Sequence, residues 1–171
     1  MLSPKMEAAL NKQINAEFYS SYLYLSMSAD FSAKNLNGFA NWMNVQAQEE
    51  LTHGMKIYNY INEQGGKVLL TAIEAPQTEW DSPLASFEAA YVHEQHVTTL
   101  INNLADIAAD ERDHATGIFL QWFITEQIEE ENTASDIVEK LKMIGDHPQG
   151  IFMIDRELGA RPAAAPVDSA E

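Results

Sequence analysis

The segment Gln46-Ala47-Gln48-Glu49-Glu50-Leu51-Thr52-His53 places a carboxylate and an imidazole three residues apart. Residues three apart lie on one face of an α-helix, so Glu50 and His53 point the same way. Apolar residues continue that face at helical spacing on both sides, at Met43, Ile57 and Ile61. This pattern predicts a helix that turns toward a core. The segment therefore puts polar groups inside an apolar stripe.

Three further apolar stripes are interrupted in the same way, by Glu17, by Glu94, and by Gln127 with Glu130. The spacings repeat, since 33 residues separate Glu17 from Glu50 and also Glu94 from Gln127. An offset of 77 relates Glu17 to Glu94, Glu50 to Gln127 and His53 to Glu130. The chain is therefore predicted to contain two related helical hairpins, with all of these side chains at one level.

Helix start and stop signals predict an all-α fold. Ser3-Pro4 begins a helix that ends near Ala33, and a second helix runs from about Leu36 to Gln64. A third helix is predicted to begin at Ser82-Pro83 and to end near Glu111. Arg112-Asp113 is predicted to form a short turn, after which a fourth helix runs to about Met143, and a short fifth helix spans Pro148 to Leu158. Residues 67–81 look extended and are long enough to run the length of a bundle. We expect a four-helix bundle with a long crossover between its second and third helices, plus a short fifth helix.

Composition limits the classes of function. The 171 residues include 26 acidic and 10 basic side chains, and the net charge of −16 argues against binding to nucleic acid. The absence of cysteine excludes disulfides, thiolate metal sites and cysteine nucleophiles. No segment predicts a signal peptide or a membrane span, so we expect a cytoplasmic protein. We expect residues 1–158 to form one domain and residues 159–171 a low-complexity tail.

Buried carboxylates on four helices need compensation, because burying like charges together is costly. A single Glu in an apolar stripe is usually at the edge of a core, and a single His is usually hydrogen-bonded there. A set of four Glu and one His in register instead suits a pair of iron or manganese ions. Glu50 is the natural bridging ligand of such a pair.

Other residues leave two interpretations open. The acidic residues beside this set form either a solvated face or a third cation site sharing Glu130; they are Glu49, Glu126, Glu129 and Glu131. Tyr24 and Trp122 serve either packing or electron donation. The histidines outside the inward register, His93, His96, His114 and His147, are expected to lie on the surface.

The motifs Glu17, Glu49-Glu50-x-x-His53, Glu94 and Glu126-Gln127-x-Glu129-Glu130 resemble the ferroxidase centre of bacterial and archaeal non-haem ferritins. The stretch Glu79-Trp80-Asp81-Ser82-Pro83-Leu84 is also typical of that family, and the resemblance covers residues 3–158. It implies a ferritin-like four-helix bundle. It also implies assembly into a homo-24-mer that oxidises Fe(II) with dioxygen or hydrogen peroxide and stores ferric mineral.

The resemblance also implies roles for individual residues. The first iron would bind Glu17, Glu50 and His53, and the second Glu50, Glu94 and Glu130, with Gln127 nearby. A third iron would bind Glu49, Glu126, Glu129 and Glu130. Tyr24 and Trp122 would be redox-active aromatics beside these sites.

The sequence departs from two relatives of that family. Gln127 and Glu130 stand where bacterioferritins and rubrerythrin-like di-iron proteins carry a second Glu-x-x-His, so a symmetric di-iron site is not expected. Thr52 stands near the position of a haem-binding methionine, so no haem is expected, although Met55 is close. Two other hypotheses remain: a di-iron oxidase of an organic substrate in a small oligomer, and a metal-free helical bundle that binds a partner.

Overall fold

The structure, a computed structural model, describes residues 2–163. Within them lie five helices and no strand: α1 (Pro4–Ala33), α2 (Asn37–Glu63), α3 (Pro83–Asp110), α4 (His114–Ile144) and α5 (Pro148–Gly159). The all-α prediction with four long helices and a short fifth one is confirmed. The division into one domain and a tail stays a prediction, and residues 164–171 of that tail lie outside the described part.

Short polar residues cap the beginnings of three helices: Ser3 at α1, Ser82 at α3 and Asp113 at α4. The Ser3 hydroxyl accepts a hydrogen bond from the Met6 amide at 3.0 Å, and Pro4 follows directly. Ser82 accepts from the Ala85 amide at 3.1 Å in the same manner. Such caps satisfy amides that the first turn of a helix leaves free. The predicted boundaries therefore agree closely with the observed ones.

The crossover between α2 and α3 lies along α1, whose side chains bind its backbone. The contacts follow the same order along both segments. Asn11 donates to the Lys67 carbonyl and Asn15 to the Ala72 carbonyl. Farther along, Ser26 donates to the Gln77 carbonyl and Lys34 to the Trp80 carbonyl. Because this connection runs from one end of the bundle to the other, α3 lies parallel to α2. The predicted long crossover is confirmed.

Two apolar clusters divide the core and leave a polar layer between them. One cluster contains large side chains such as Phe31, Phe39 and Phe87, and the other contains Leu10 and Ile57. The buried polar side chains of the intervening layer come from all four long helices: Glu17, Glu50, His53, Glu94 and Gln127. The bundle thus encloses carboxylates at mid-height, as the repeated spacing predicts.

Helix α5 packs on the beginning of α2. The Asp155 carboxylate accepts from the amides of Gly38 at 2.8 Å and Phe39 at 3.1 Å. Leu36, which precedes α2, provides no side-chain cap, so α5 supplies the missing acceptor. The approach is close enough that a Cβ atom on Gly38 would lie 1.6 Å from the Asp155 carbonyl oxygen.

We expect Gly38→Ala to undock α5 or shift it substantially, because the new methyl group meets backbone that cannot rotate away. The free energy of unfolding should fall by about 2 kcal/mol or more. Guanidinium unfolding followed by circular dichroism measures this change. Gly117→Ala is the matched control, since its Cβ would meet nothing within 4 Å and alanine favours helix there. Equal unfolding midpoints for the two variants would contradict the expected clash.

Among the described residues, none of the helices carries an apolar run long enough to cross a lipid bilayer.

Candidate metal centre

Two groups of potential metal ligands occupy the polar layer. Glu17, Glu50 and His53 form one, and Glu50, Glu94 and Glu130 form the other. In each group one ligand atom per residue lies within 4.8 Å of the others. Glu50 belongs to both groups, so its carboxylate lies where a bridging ligand would. The structure thus brings together the five side chains of the sequence-based ligand set, and their role as ligands stays a prediction.

Amide side chains hold one oxygen of each carboxylate. Gln46 donates from Nε2 to Glu50 Oε1 at 3.0 Å and to Glu130 Oε1 at 3.1 Å. Gln13 donates to Glu17 Oε1 at 2.8 Å, on the next turn of the same helix. Gln127, which sequence spacing placed at this level, donates to Glu94 Oε2 at 3.3 Å. These neutral donors orient the carboxylates but bring no positive charge.

Two carboxylate oxygens in this layer are buried without a hydrogen-bond partner in the described part of the chain. They are Glu17 Oε2 and Glu130 Oε2. A buried polar atom without a partner is costly and calls for a missing ligand. A divalent cation would satisfy both atoms, and a set of carboxylate oxygens with one imidazole suits iron, manganese or zinc. The residues therefore fit a pair of such ions.

Burial and mutual repulsion change the acidity of these carboxyls. Burial, reinforced by the neighbouring Glu50, raises the pKa of Glu17 to about 8. Burial also raises the pKa values of Glu50, Glu94 and Glu130, and nearby carboxylates add to the effect at Glu50 and Glu130. Without cations, the layer therefore retains protons at neutral pH. Metal ions binding there would displace them.

Tyr24 and Trp122 both contact this layer. The buried Tyr24 hydroxyl donates to Glu94 Oε1, and burial raises the pKa of the phenol, with the Glu94 charge as the next cause. The Trp122 ring meets His53 edge-on at 5.2 Å between centroids, and Lys56 Nζ lies 4.2 Å from the Trp122 ring centroid. Each aromatic side chain thus touches one candidate ligand.

The acidic residues predicted to form a third cation site lie around a cavity of about 320 Å³, which reaches Glu94 from the protein surface. Its acidic walls are Glu49, Glu126, Glu129 and Glu130. Within residues 2–163, only the two groups of the polar layer bring three ligand atoms within 4.8 Å of each other. The predicted third set therefore shares a cavity without converging as closely as the other two.

Arg161 also lines this cavity and forms an ion pair with Glu49 at 2.5 Å. Sequence reasoning missed Arg161, because it follows α5 and no periodic pattern connects it to α2. Only the docking of α5 on α2 could have indicated that contact.

His93 is predicted to lie on the surface, and the structure shows it only half-buried. His93 Nε2 is 2.7 Å from the hydroxyl of Ser20, which is fully buried, and the His93 ring meets Tyr24 edge-on at 6.2 Å between centroids. Burial, together with the charge of His96, lowers the pKa of His93 to about 4. The packing of α3 on α1 covers part of this residue, which single-helix periodicity does not capture. The exposure predicted for the other three histidines is confirmed at His96, His114 and His147.

Comparison with known proteins agrees with this architecture. The ferritin-like domain family matches residues 7–144. A bacterial non-heme ferritin of Bacteroides fragilis (strain 638R) is 48% identical over 161 residues, covering 94% of this chain and 100% of that protein. A bacterial non-heme ferritin of Staphylococcus saprophyticus is 44% identical, covering 94% of this chain and 96% of that protein.

A solved structure gives the same result in three dimensions. The open pore ferritin from the hyperthermophilic archaeon Archaeoglobus fulgidus superposes with a TM-score of 0.94 at 53% sequence identity. The match covers 95% of this chain and 100% of that one. The family match, the two relatives and this superposition include all four long helices that carry the polar layer, and they show that the chain belongs to the ferritin family.

Proposed function

We propose that this protein stores and detoxifies iron. It oxidises Fe(II) to Fe(III) at a di-iron ferroxidase centre within each subunit and holds the ferric mineral inside a shell of 24 subunits. The observation that carries the proposal is the pair of buried ligand groups that share Glu50. The two unpartnered carboxylate oxygens beside them support a site built for cations.

Fe(II) is the substrate in this proposal. The first ion binds Glu17, Glu50 and His53, and the second binds Glu50, Glu94 and Glu130. Ligand binding expels the protons that the metal-free carboxyls hold. Two Fe(II) ions together give up two electrons, which reduce dioxygen to hydrogen peroxide or hydrogen peroxide to water. The anionic oxygens stabilise the additional positive charge of the Fe(III) product.

The difference between the two ligand groups supports release of the product. The first group contains the imidazole of His53, whereas the second contains carboxylates alone. Gln127 donates its amide to Glu94 instead of offering a charged ligand. We expect the second ion to be held more weakly. The second ion borders the acidic cavity. A third iron site formed by Glu49, Glu126 and Glu129 would lie there, on the route by which Fe(III) leaves the di-iron centre.

Tyr24 and Trp122 complete the proposal as electron donors. The Tyr24 hydroxyl contacts Glu94, a ligand of the second ion, and Trp122 contacts His53, a ligand of the first. Either aromatic side chain is close enough to supply an electron when dioxygen reduction needs more than two.

The chemistry of the cavity argues against oxidation of an organic substrate. Pockets for organic ligands are lined mainly by apolar side chains with a few polar groups. Five of the 14 residues around this cavity are glutamates, and this concentration of negative charge favours cations over an organic molecule; they are Glu49, Glu94, Glu126, Glu129 and Glu130. A bundle that binds only a partner protein would have no use for these acids, since buried carboxylates without cations destabilise the fold.

We expect gel filtration to separate this proposal from a small oligomeric oxidase. The purified protein should elute at an apparent mass of about 460 kDa, which is twenty-four times the chain mass of 19.1 kDa. After aerobic addition of several hundred Fe(II) ions per assembly, the iron should co-elute with the protein. The control is the same iron load without protein, which should precipitate. Elution as a monomer or dimer, or iron that separates from the protein, would refute the storage function.

A further inference from the structure

Arg161 lies just beyond α5 and reaches back to the acidic cavity. Its guanidinium pairs with Glu49 through Nη2 at 2.5 Å and lies 4.6 Å from the Trp42 ring centroid. Its carbonyl oxygen accepts a hydrogen bond from Asn41 Nδ2 at 3.1 Å. The Arg161 side chain is 23% exposed, so most of it is enclosed by α2. The end of α5 is thus fastened to α2 beside the metal centre.

Arg161 is also connected to the polar layer through one amide. Its Nη1 donates to Gln46 Oε1 at 3.1 Å, which leaves Gln46 Nε2 facing the opposite way. That nitrogen donates to one oxygen each of Glu50 and Glu130. A single orientation of the Gln46 amide satisfies all three contacts. Arg161 therefore fixes the group that orients two candidate ligands.

The charges around the cavity make Arg161 a competitor for cations. Glu49, Glu126, Glu129 and Glu130 line the cavity. Arg161 is the lining residue that carries a permanent positive charge. Glu130 Oε2 is buried there without a partner. A metal ion bound to Glu49 would lie within a few ångströms of the guanidinium, and like charges at that separation repel strongly.

We propose that Arg161 is a built-in counter-ion that occupies Glu49 until an incoming metal ion displaces it, so that it weakens the third cation site. This inference rests on the proposed function, because the third ion belongs to the same iron route. While Arg161 is in place, it neutralises Glu49 and holds Gln46 on the ligands of the second ion. When a metal ion takes Glu49, the guanidinium leaves and Gln46 loses its fixed orientation.

The test is calorimetric titration of the assembled, metal-free protein with Zn(II), which binds similar ligands and is not oxidised. Arg161→Gln removes the charge and keeps hydrogen-bonding capacity, whereas Arg161→Lys keeps the charge. We expect the third Zn(II) to bind about tenfold more tightly in R161Q, equivalent to about 1.4 kcal/mol. R161K should stay within about threefold of wild type. Glu49→Gln combined with R161Q should abolish the gain, because the carboxylate that benefits is gone.

Three results would count against the inference. Equal affinity of wild type and R161Q for the third Zn(II), with two ions still bound per subunit, would overturn it and leave the proposed function intact. Crystals of wild type soaked in Zn(II) should show Arg161 withdrawn from Glu49. Anomalous density for zinc on Glu49 with the ion pair still present would also overturn it. Failure of wild type to bind the first two Zn(II) ions would refute the proposed function as well.

Discussion

Glu50→Gln should eliminate the rapid phase of Fe(II) oxidation, slowing it at least about 100-fold. Glu50 is the one carboxylate common to both ligand groups, so its loss removes a ligand from each ion at once. Changes to residues that merely orient ligands typically cost 10–100-fold, and losing a shared ligand should cost at least as much. The measurement is stopped-flow absorbance after anaerobic Fe(II) loading and mixing with oxygenated buffer. The variant should still fold, because Gln keeps the shape of Glu and removes a carboxyl whose ionisation burial disfavours.

Two further variants make this result specific. Glu130→Gln alters only the second ligand group, so it should retain one tightly bound Fe(II) per subunit where Glu50→Gln retains none. Glu63→Gln is the matched control, because Glu63 is the exposed last residue of the same helix. If Glu50→Gln and Glu63→Gln gave the same progress curves, the assignment of the centre would be wrong.

The stability of the metal-free protein should fall as pH rises from about 5.5 to 8.5. The pKa of Glu17 is about 8 in the folded protein against 4.5 for the ordinary carboxyl, so the folded state keeps a proton that the unfolded state releases. A group with a raised pKa gives its full stability below the unfolded pKa, and that stability is lost as pH rises through the folded pKa. Each pKa unit corresponds to about 1.4 kcal/mol. Glu50, Glu94 and Glu130 act in the same direction.

Guanidinium unfolding across this pH range, with and without Zn(II), measures the effect. Zn(II) should restore most of the lost stability, and its contribution should grow with pH because ionised carboxylates bind metal better. Glu17→Gln should reduce the slope of the pH dependence of the metal-free protein by the contribution of Glu17, while Glu63→Gln should leave it unchanged. A Glu17→Gln variant whose stability follows the wild-type pH profile would disprove this explanation.

Much of the bundle follows from patterns within single helices. Ser-Pro pairs define the beginnings of α1 and α3, and stripes of spacing three and four define which face each helix buries. The repeat at an offset of 77 residues is enough to place Glu17 and Glu94 at the same level. Polar residues in those stripes were informative because burial makes them expensive, so each one needs a physical reason.

Contacts between distant segments could not be predicted in this way. His93 is half-buried because it contacts Ser20 on another helix, and the sequence around neither residue indicates that contact. Asp155 and Arg161 contact α2 through the docking of α5, and the pattern along α5 does not indicate which helix it packs against. These contacts depend on how elements pack against each other, which spacing along one helix does not encode.

The division of the polar layer between the two hairpins has a mechanical consequence. Glu17, Glu50 and His53 come from the first hairpin, and Glu94 and Glu130 come from the second. In the proposed centre, an ion bound by both Glu50 and Glu94 would link the two halves of the chain. Separating the two hairpins would require the metal ion to dissociate from one of them. The metal-bound bundle should therefore resist separation of its hairpins more strongly than the metal-free bundle.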